Sequence, residues 1–239
     1  MTFGVMLSQL LSGLGQTCLI FALTLIFSLP LGLAVCAGRM SKFAPFGKLV
    51  KNKKDCPKFL KALGEAKPIR AIFSFFIAIL RGTPLMLQLL VVCYGPYYLF
   101  KVNLSSSWKF FALIIGFVIN YSAYFAEIYR AGIESIPVGQ SEAAQTLGYS
   151  KAQTFFKIIL PQMVKRTLPP VTNEVITLVK DTSLAFVLTH DEMFTIAKRI
   201  SAAKTTFTPL LIAGLFYFVF NAIVAFVMTK IENSMKYYE

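Results

Sequence analysis

Apolar positions run along this chain in long unbroken blocks rather than in alternation. The blocks cover residues near Leu10 to Ala37, Ala71 to Phe100, Phe110 to Ala131, Val171 to Thr189 and Pro209 to Met228. Each approaches the roughly 20 residues that a helix needs to cross a bilayer. A membrane β-barrel would alternate apolar and polar residues along each strand. The pattern therefore predicts an all-α membrane protein with about five transmembrane helices. Pro30 is expected to bend the first helix, a defect that neighbouring helices tolerate within a membrane. In the second block, Arg81-Gly82-Thr83-Pro84 is expected to break or kink the helix. Pro169 and Pro170 are expected to start the fourth helix, which is unusually polar, with Asn173, Thr177 and Asp181 on one face.

Between the third and fourth blocks, residues 137–161 read as two short helices joined by a hinge. Pro137 suits a first helical turn, where a missing N–H costs nothing. Glu142, Ala143, Ala144, Gln145 and Leu147 include several strong helix formers. Gly148 stops that helix, because glycine enters the left-handed cap freely. Ser150 and Gln153 form an S-x-x-Q capping box for the second helix. Ala152, Phe155, Phe156 and Ile159 fall on one side of it, and Pro161 is expected to end it.

Charge adds an orientation. The chain has 239 residues and a formal net charge of +13. Ten of the basic residues lie between Arg39 and Arg70, against Asp55 and Glu65. Such a cluster marks a cytoplasmic loop, so the surplus reflects membrane topology and not nucleic acid. With residues 39–70 inside, the N-terminus is expected outside, the C-terminus in the cytoplasm and the 137–161 hairpin in the cytoplasm. The whole of 1–239 reads as one transmembrane domain. Met1 to Gly38 carries no charge, so the first apolar run is expected to stay as an anchor. Tyr94, Tyr97, Tyr98 and Trp108 mark the outer headgroup level. His190 to Thr206 reads as an outer loop that could touch a solute receptor.

Catalytic chemistry finds no support. A G-x-x-x-x-G-K-[ST] phosphate loop is missing, as is any Ser/His/Asp arrangement. The single histidine and four scattered cysteines give no metal cluster and predict no disulfide. What the spans do carry is polar faces. Asn120, Tyr124 and Glu127 share a face at i, i+4 and i+7, and Asp181, Thr182 and Ser183 lie deep in the fourth helix. Ionisable groups inside a membrane helix usually face the bundle interior, so these six residues are the candidate substrate path. Two readings stay open for Glu127, which either lines the path or pairs with Arg130 near the helix end. Lys180 and Asp181 either serve transport or hold a subunit interface.

The hairpin resembles the EAA loop of the membrane subunits of bacterial ABC importers through Gly139, Glu142, Ala143, Ala144, Leu147, Gly148, Phe155, Ile158, Leu160 and Pro161. RGTPLMLQLL, NYSAYFAEIYRAGI and LPPVTNEVITLVKDTSLA resemble the polar amino-acid branch of that family. The resemblance implies a type I importer transmembrane fold in the bacterial cytoplasmic membrane. It implies a coupling helix built on Gly139, Glu142, Ala143, Ala144, Leu147, Gly148 and Phe155, docked on separate ABC ATPase subunits that bind ATP and Mg. It further implies a second permease subunit, identical or similar, an extracellular or periplasmic solute-binding protein, and a polar amino acid as substrate. Glu127 and Asp181 tilt that substrate toward cationic amino acids. The basic loop is longer than the family usually has. The competing classes are an ion-gradient-driven secondary transporter or channel and a non-transporting membrane scaffold.

Overall fold

The computed structural model describes residues 2–43, 67–102 and 105–235. Most of the basic loop, with Cys56, and Lys236 of the C-terminal tail lie outside the described residues. All regular structure among the described residues is helical.

Helix α1 runs from Phe3 to Arg39 and continues through Pro30. Helices α2 (Pro68–Gly82) and α3 (Leu85–Phe100) follow, bent by 111° at the expected break. Pro84 disfavours helical geometry in the residue before it, and Thr83 is extended, at φ −122° and ψ 149°. The break frees backbone carbonyls, which lipid cannot satisfy. Side chains do so instead. Thr83 Oγ1 donates to the Ile79 carbonyl at 2.8 Å, and Gln88 Nε2 donates to the carbonyls of Leu80 at 2.8 Å and Thr83 at 3.0 Å. Helix α4 (Ser106–Glu134) starts at Ser105, whose hydroxyl accepts from the Trp108 N–H at 3.2 Å.

The hairpin follows as α5 (Val138–Thr146) and α6 (Lys151–Thr154), and then a π-turn spans Phe155–Ile159. Helix α7 (Leu160–Asp181) continues directly from that turn and passes into a 3₁₀ segment, Thr182–Leu188. Two boundary expectations are corrected here. Pro161 does not end a helix; it lies in the first turn of α7, where its missing N–H is harmless. Pro169 and Pro170 do not start a helix; they lie inside α7. The carbonyls that they leave without helical donors belong to Lys165 and Arg166, both exposed residues.

The expected outer loop also changes. Met193–Lys204 forms helix α8, with Met193, Ile196, Ala197 and Ile200 buried. The Glu192 carboxylate caps it, accepting from the N–H groups of Phe194 at 2.7 Å and Thr195 at 2.6 Å. Glu192 is fully buried and also accepts from Tyr217 Oη at 2.8 Å. Burial pushes its carboxyl above the ordinary range, and these hydrogen bonds pull the other way. His190 is half-buried, with its ring 5.3 Å from that of Phe110. Helix α9 (Thr208–Met235) closes the fold.

Helix α1 packs most extensively on α4. The main core joins α1, α3, α4 and the 3₁₀ segment through Ile20, Leu89, Leu113, Phe117, Phe125 and Leu188. A second cluster seats α8 between α1 and α9. Among the described residues, α1, α4 and α9 are each long and apolar enough to span a bilayer, and the bent α2–α3 pair is so when taken together. Helix α7 does not meet that measure because its face is polar.

Small residues let these helices approach closely, as membrane packing requires. A Cβ on Gly13 would lie 2.7 Å from Met193 Cα, whereas one on Gly15 would meet nothing within 4 Å. Gly13→Val is therefore expected to destabilise the protein by about 1–3 kcal/mol through overpacking. Gly15→Val serves as the matched control with little effect. Thermal unfolding in detergent checks this, and equal shifts for the two variants would contradict the α1–α8 contact.

Candidate functional site

The hairpin is built as a protruding element. Gly148 takes φ +79°, the left-handed cap that its position between two helices requires. The capping box is complete: Gln153 N donates to Ser150 Oγ at 3.3 Å and Ser150 N donates to Gln153 Oε1 at 2.8 Å. Gly139, Glu142, Ala143, Leu147 and Gly148 are exposed, while Ala144 is buried and Phe155 half-buried. The buried trio Ile136, Ile159 and Met163, with Phe155 against it, fixes the hairpin to the bundle. Val138 and Leu147 meanwhile stand 72% and 77% exposed. Exposed apolar side chains gathered on one small element mark an interaction surface.

Glu127 sits at the hairpin end of α4, where three guanidiniums converge on it. Arg39 of α1 meets its Oε1 at 2.9 Å. Arg130 of α4 donates to its Oε2 from Nε at 3.2 Å and Nη2 at 2.9 Å. Arg81, at the α2–α3 break, stands 3.9 Å from Oε2 with its guanidinium 5.3 Å from the centre of the Tyr124 ring. Arg130 also pairs with Glu134. The carboxylate side chain is only 13% exposed. A charge this enclosed is tolerable only when paired, so the i, i+3 pairing with Arg130 forms as one part of a larger knot.

The remaining path candidates divide by accessibility. Asn120 is buried, and its amide nitrogen donates to Gln88 Oε1 at 2.9 Å and to the Leu80 carbonyl at 3.3 Å. It thus braces the α2–α3 break from α4. Thr182 is fully buried, its hydroxyl donating to the Val179 carbonyl at 2.7 Å. Ser183 Oγ donates to the Lys180 carbonyl at 2.7 Å. Tyr124 and Asp181 are half-buried. Asp181 Oδ2 accepts from Tyr121 Oη at 2.7 Å, which ties α7 to α4. Along α7, Arg166, Pro170, Asn173, Thr177 and Lys180 form one exposed stripe at 3 and 4 spacing.

Sequence reasoning passed over Tyr121, Gln88, Arg39 and Arg166 as site residues. Arg166 Nη1 donates to the Ser135 carbonyl at 2.5 Å and to Ser135 Oγ at 3.2 Å, joining α7 to the end of α4. Tyr121 carried a signal, since it directly follows Asn120 inside an apolar helix. Arg39 and Arg166 carried none, because they are separated from their partners by 88 and 31 positions along the chain. Among the described residues, no group of three or more His, Cys, Asp or Glu side chains could hold a metal ion.

Residues 59–237 match the family described as binding-protein-dependent transport system inner membrane component. The chain is 32% identical over 228 residues to the arginine transport system permease protein of Bacillus subtilis, covering 95% of this chain and 92% of that protein. It is 39% identical over 143 residues to the L-cystine transport system permease protein of the same organism, covering 60% of this chain and 59% of that protein. A solved amino acid ABC transporter with histidines superposes with a TM-score of 0.78 at 29% identity, over 98% of this chain and 99% of that one. The inward-facing MetNI methionine ABC transporter gives a TM-score of 0.69 at 15% identity, over 98% and 99%, and that likeness concerns the fold alone. The chain therefore belongs to the binding-protein-dependent transport inner membrane component family, as a permease of the polar amino-acid ABC importers.

Proposed function

We propose that this permease moves a polar amino acid across the bacterial cytoplasmic membrane by alternating access, driven by separate ATPase subunits that grip its 137–161 hairpin. The observation that carries this is the capped and exposed hairpin, which presents Gly139, Glu142, Ala143 and Leu147 away from its own bundle. ATP and Mg belong to those partners, and this subunit needs no cofactor. Closure of the ATPases shifts a two-state balance in the bundle, which requires that the partner bind the two states with different affinity.

The polar stripe of α7 supports a second permease subunit, identical or similar. Polar and charged groups exposed to hydrocarbon are costly. A facing copy would turn Asn173, Thr177 and Lys180 toward a shared, wet path. Tyr124, Asp181 and Ser183 border that path, Glu127 stands at its hairpin end, and Asn120 and Thr182 support its walls from behind. An extracellular or periplasmic solute-binding protein delivers the amino acid at the opposite end.

Three outcomes test this reading. Glu142→Lys is expected to abolish co-purification of the ATPase with the permease; retained co-purification would remove the hairpin from the interface. Gly148→Val places a β-branched residue in a left-handed cap, a strain on the order of 1–2 kcal/mol. In proteoliposomes it should leave ATP hydrolysis running while uptake falls, and unchanged coupling would argue against a hinge there. Asp181→Asn should lower uptake about ten-fold or more with assembly intact, the scale of losing a charged hydrogen-bonding group. Normal uptake in that variant refutes a direct role for Asp181.

A further inference from the structure

A cavity of about 430 Å³ opens at the hairpin end of the bundle, lined by Arg81, Glu127, Arg130, Ser135, Arg166 and Pro170 among others. The carboxylate that lines it and the one beside it on α4 are already engaged. Glu127 is taken by Arg39 and Arg130, and Glu134 by Arg130. The guanidiniums are not equally engaged. Arg130 uses Nε and both terminal nitrogens on those two carboxylates. Arg81, whose side chain is 46% exposed, donates no hydrogen bond among the described residues and stays 3.9 Å from Glu127. Arg166 commits only Nη1, to Ser135. Two guanidiniums with spare donors thus face one cavity whose lining carboxylate, Glu127, is already held by Arg39 and Arg130. Among the described residues, Arg39, Arg81, Arg130 and Arg166 stand here against Glu127, Glu134 and the half-buried Glu174, which the charge of Arg81 reaches, and that leaves a net positive wall.

We propose that this cavity is an oxyanion site, and that its ligand is the carboxylate of an amino acid leaving the permease. Arg81 and Arg166 supply the donors, since a guanidinium fork matches a carboxylate in geometry and charge. Arg166 and Pro170 belong to the exposed stripe of α7, so the cavity adjoins the surface assigned above to the path. It also touches Ser135, next to the start of the hairpin. A ligand held there bridges α7, the α2–α3 break and the end of α4. The choice of an amino acid as the carboxylate source rests on the transport reading above. The oxyanion chemistry rests only on the cavity.

The test uses the permease assembled with its ATPase partner in phosphatidylcholine nanodiscs, without the solute-binding protein. The probes are N-acetyl-L-glutamine, which keeps the carboxylate and lacks the ammonium, and L-glutaminamide, which has the reverse. Calorimetry should detect N-acetyl-L-glutamine and not the amide. Inorganic phosphate should compete with it in the wild-type complex. Arg81→Gln and Arg166→Gln should each weaken binding at least about ten-fold, and Arg166→Lys should recover part of the loss. Absent binding, equal binding of the amide, no competition by phosphate, or indifference to both glutamine variants overturns the site. Loss of N-acetyl-L-glutamine binding when phosphatidylglycerol is added assigns the cavity to a lipid phosphate and overturns the amino-acid ligand. Uptake of glutamine, arginine and cystine into proteoliposomes, with the solute-binding protein present, is measured separately. Failure of uptake alone would sink the transport reading and leave the anion site standing.

Discussion

Glu127 is the point at which distant parts of this chain become one body. Its carboxylate is almost enclosed, and an unpaired charge so placed would be costly. Arg39 reaches it from the last turn of α1, Arg81 from the break between α2 and α3, and Arg130 from its own helix. Removing one partner of a buried pair costs on the order of 3–5 kcal/mol in soluble proteins, because the other charge is left stranded. The same logic applies to the joint that Arg39 and Arg130 make with Glu127 between the hairpin end of α1 and α4, while the more exposed Arg81 stands at its edge. Arg130 extends it to Glu134, one helical turn further along, and Arg166 holds Ser135 from α7. Segments of α1, α2, α4 and α7 therefore meet where the 137–161 hairpin begins.

The rule that lipid satisfies no backbone group explains why the irregular parts of the fold are so heavily bonded. At the α2–α3 break, Thr83 and Gln88 take up freed carbonyls, and Asn120 holds Gln88 in turn. The π-turn at Phe155–Ile159 lets the second hairpin helix run directly into α7. A hairpin continuous with a helix of the bundle can transmit displacement, whereas one tethered by a loose loop would lose it. The Glu192 cap applies the same rule at the other end, closing the first turn of α8 and pinning it to Tyr217 of α9.

Much of the architecture was legible because its causes are local. Length and continuity of the apolar blocks predicted helices that span a bilayer, and α1, α4 and α9 meet that expectation. Gly148 and the Ser150–Gln153 box specified the hairpin turn through backbone conformation and reach alone. Arg81 to Pro84 announced the break because proline and glycine act within a turn or two. The proline boundaries of α7 went astray for a physical reason as well. A proline ends a helix only when its missing donor and its ring meet an ordinary turn, and here Pro161 falls at the start of α7, just after a π-turn. Helix α8 was hidden because its charged residues outweighed a faint buried stripe of Met193, Ile196, Ala197 and Ile200.

By itself the sequence determined what local chemistry determines: spans, turns, caps, and the face on which each polar residue lies. It left open whether Glu127 lined a path or closed an ion pair, since both need the same residue at the same helical position. What the tertiary structure supplied was its partners, by bringing Arg39 and Arg81 to it from 88 and 46 positions away in the chain. The partners of Asp181, Asn120 and Glu192 were settled in the same way. A periodic pattern says which way a side chain points. What it meets there depends on how separate helices pack, and that is a property of the whole bundle.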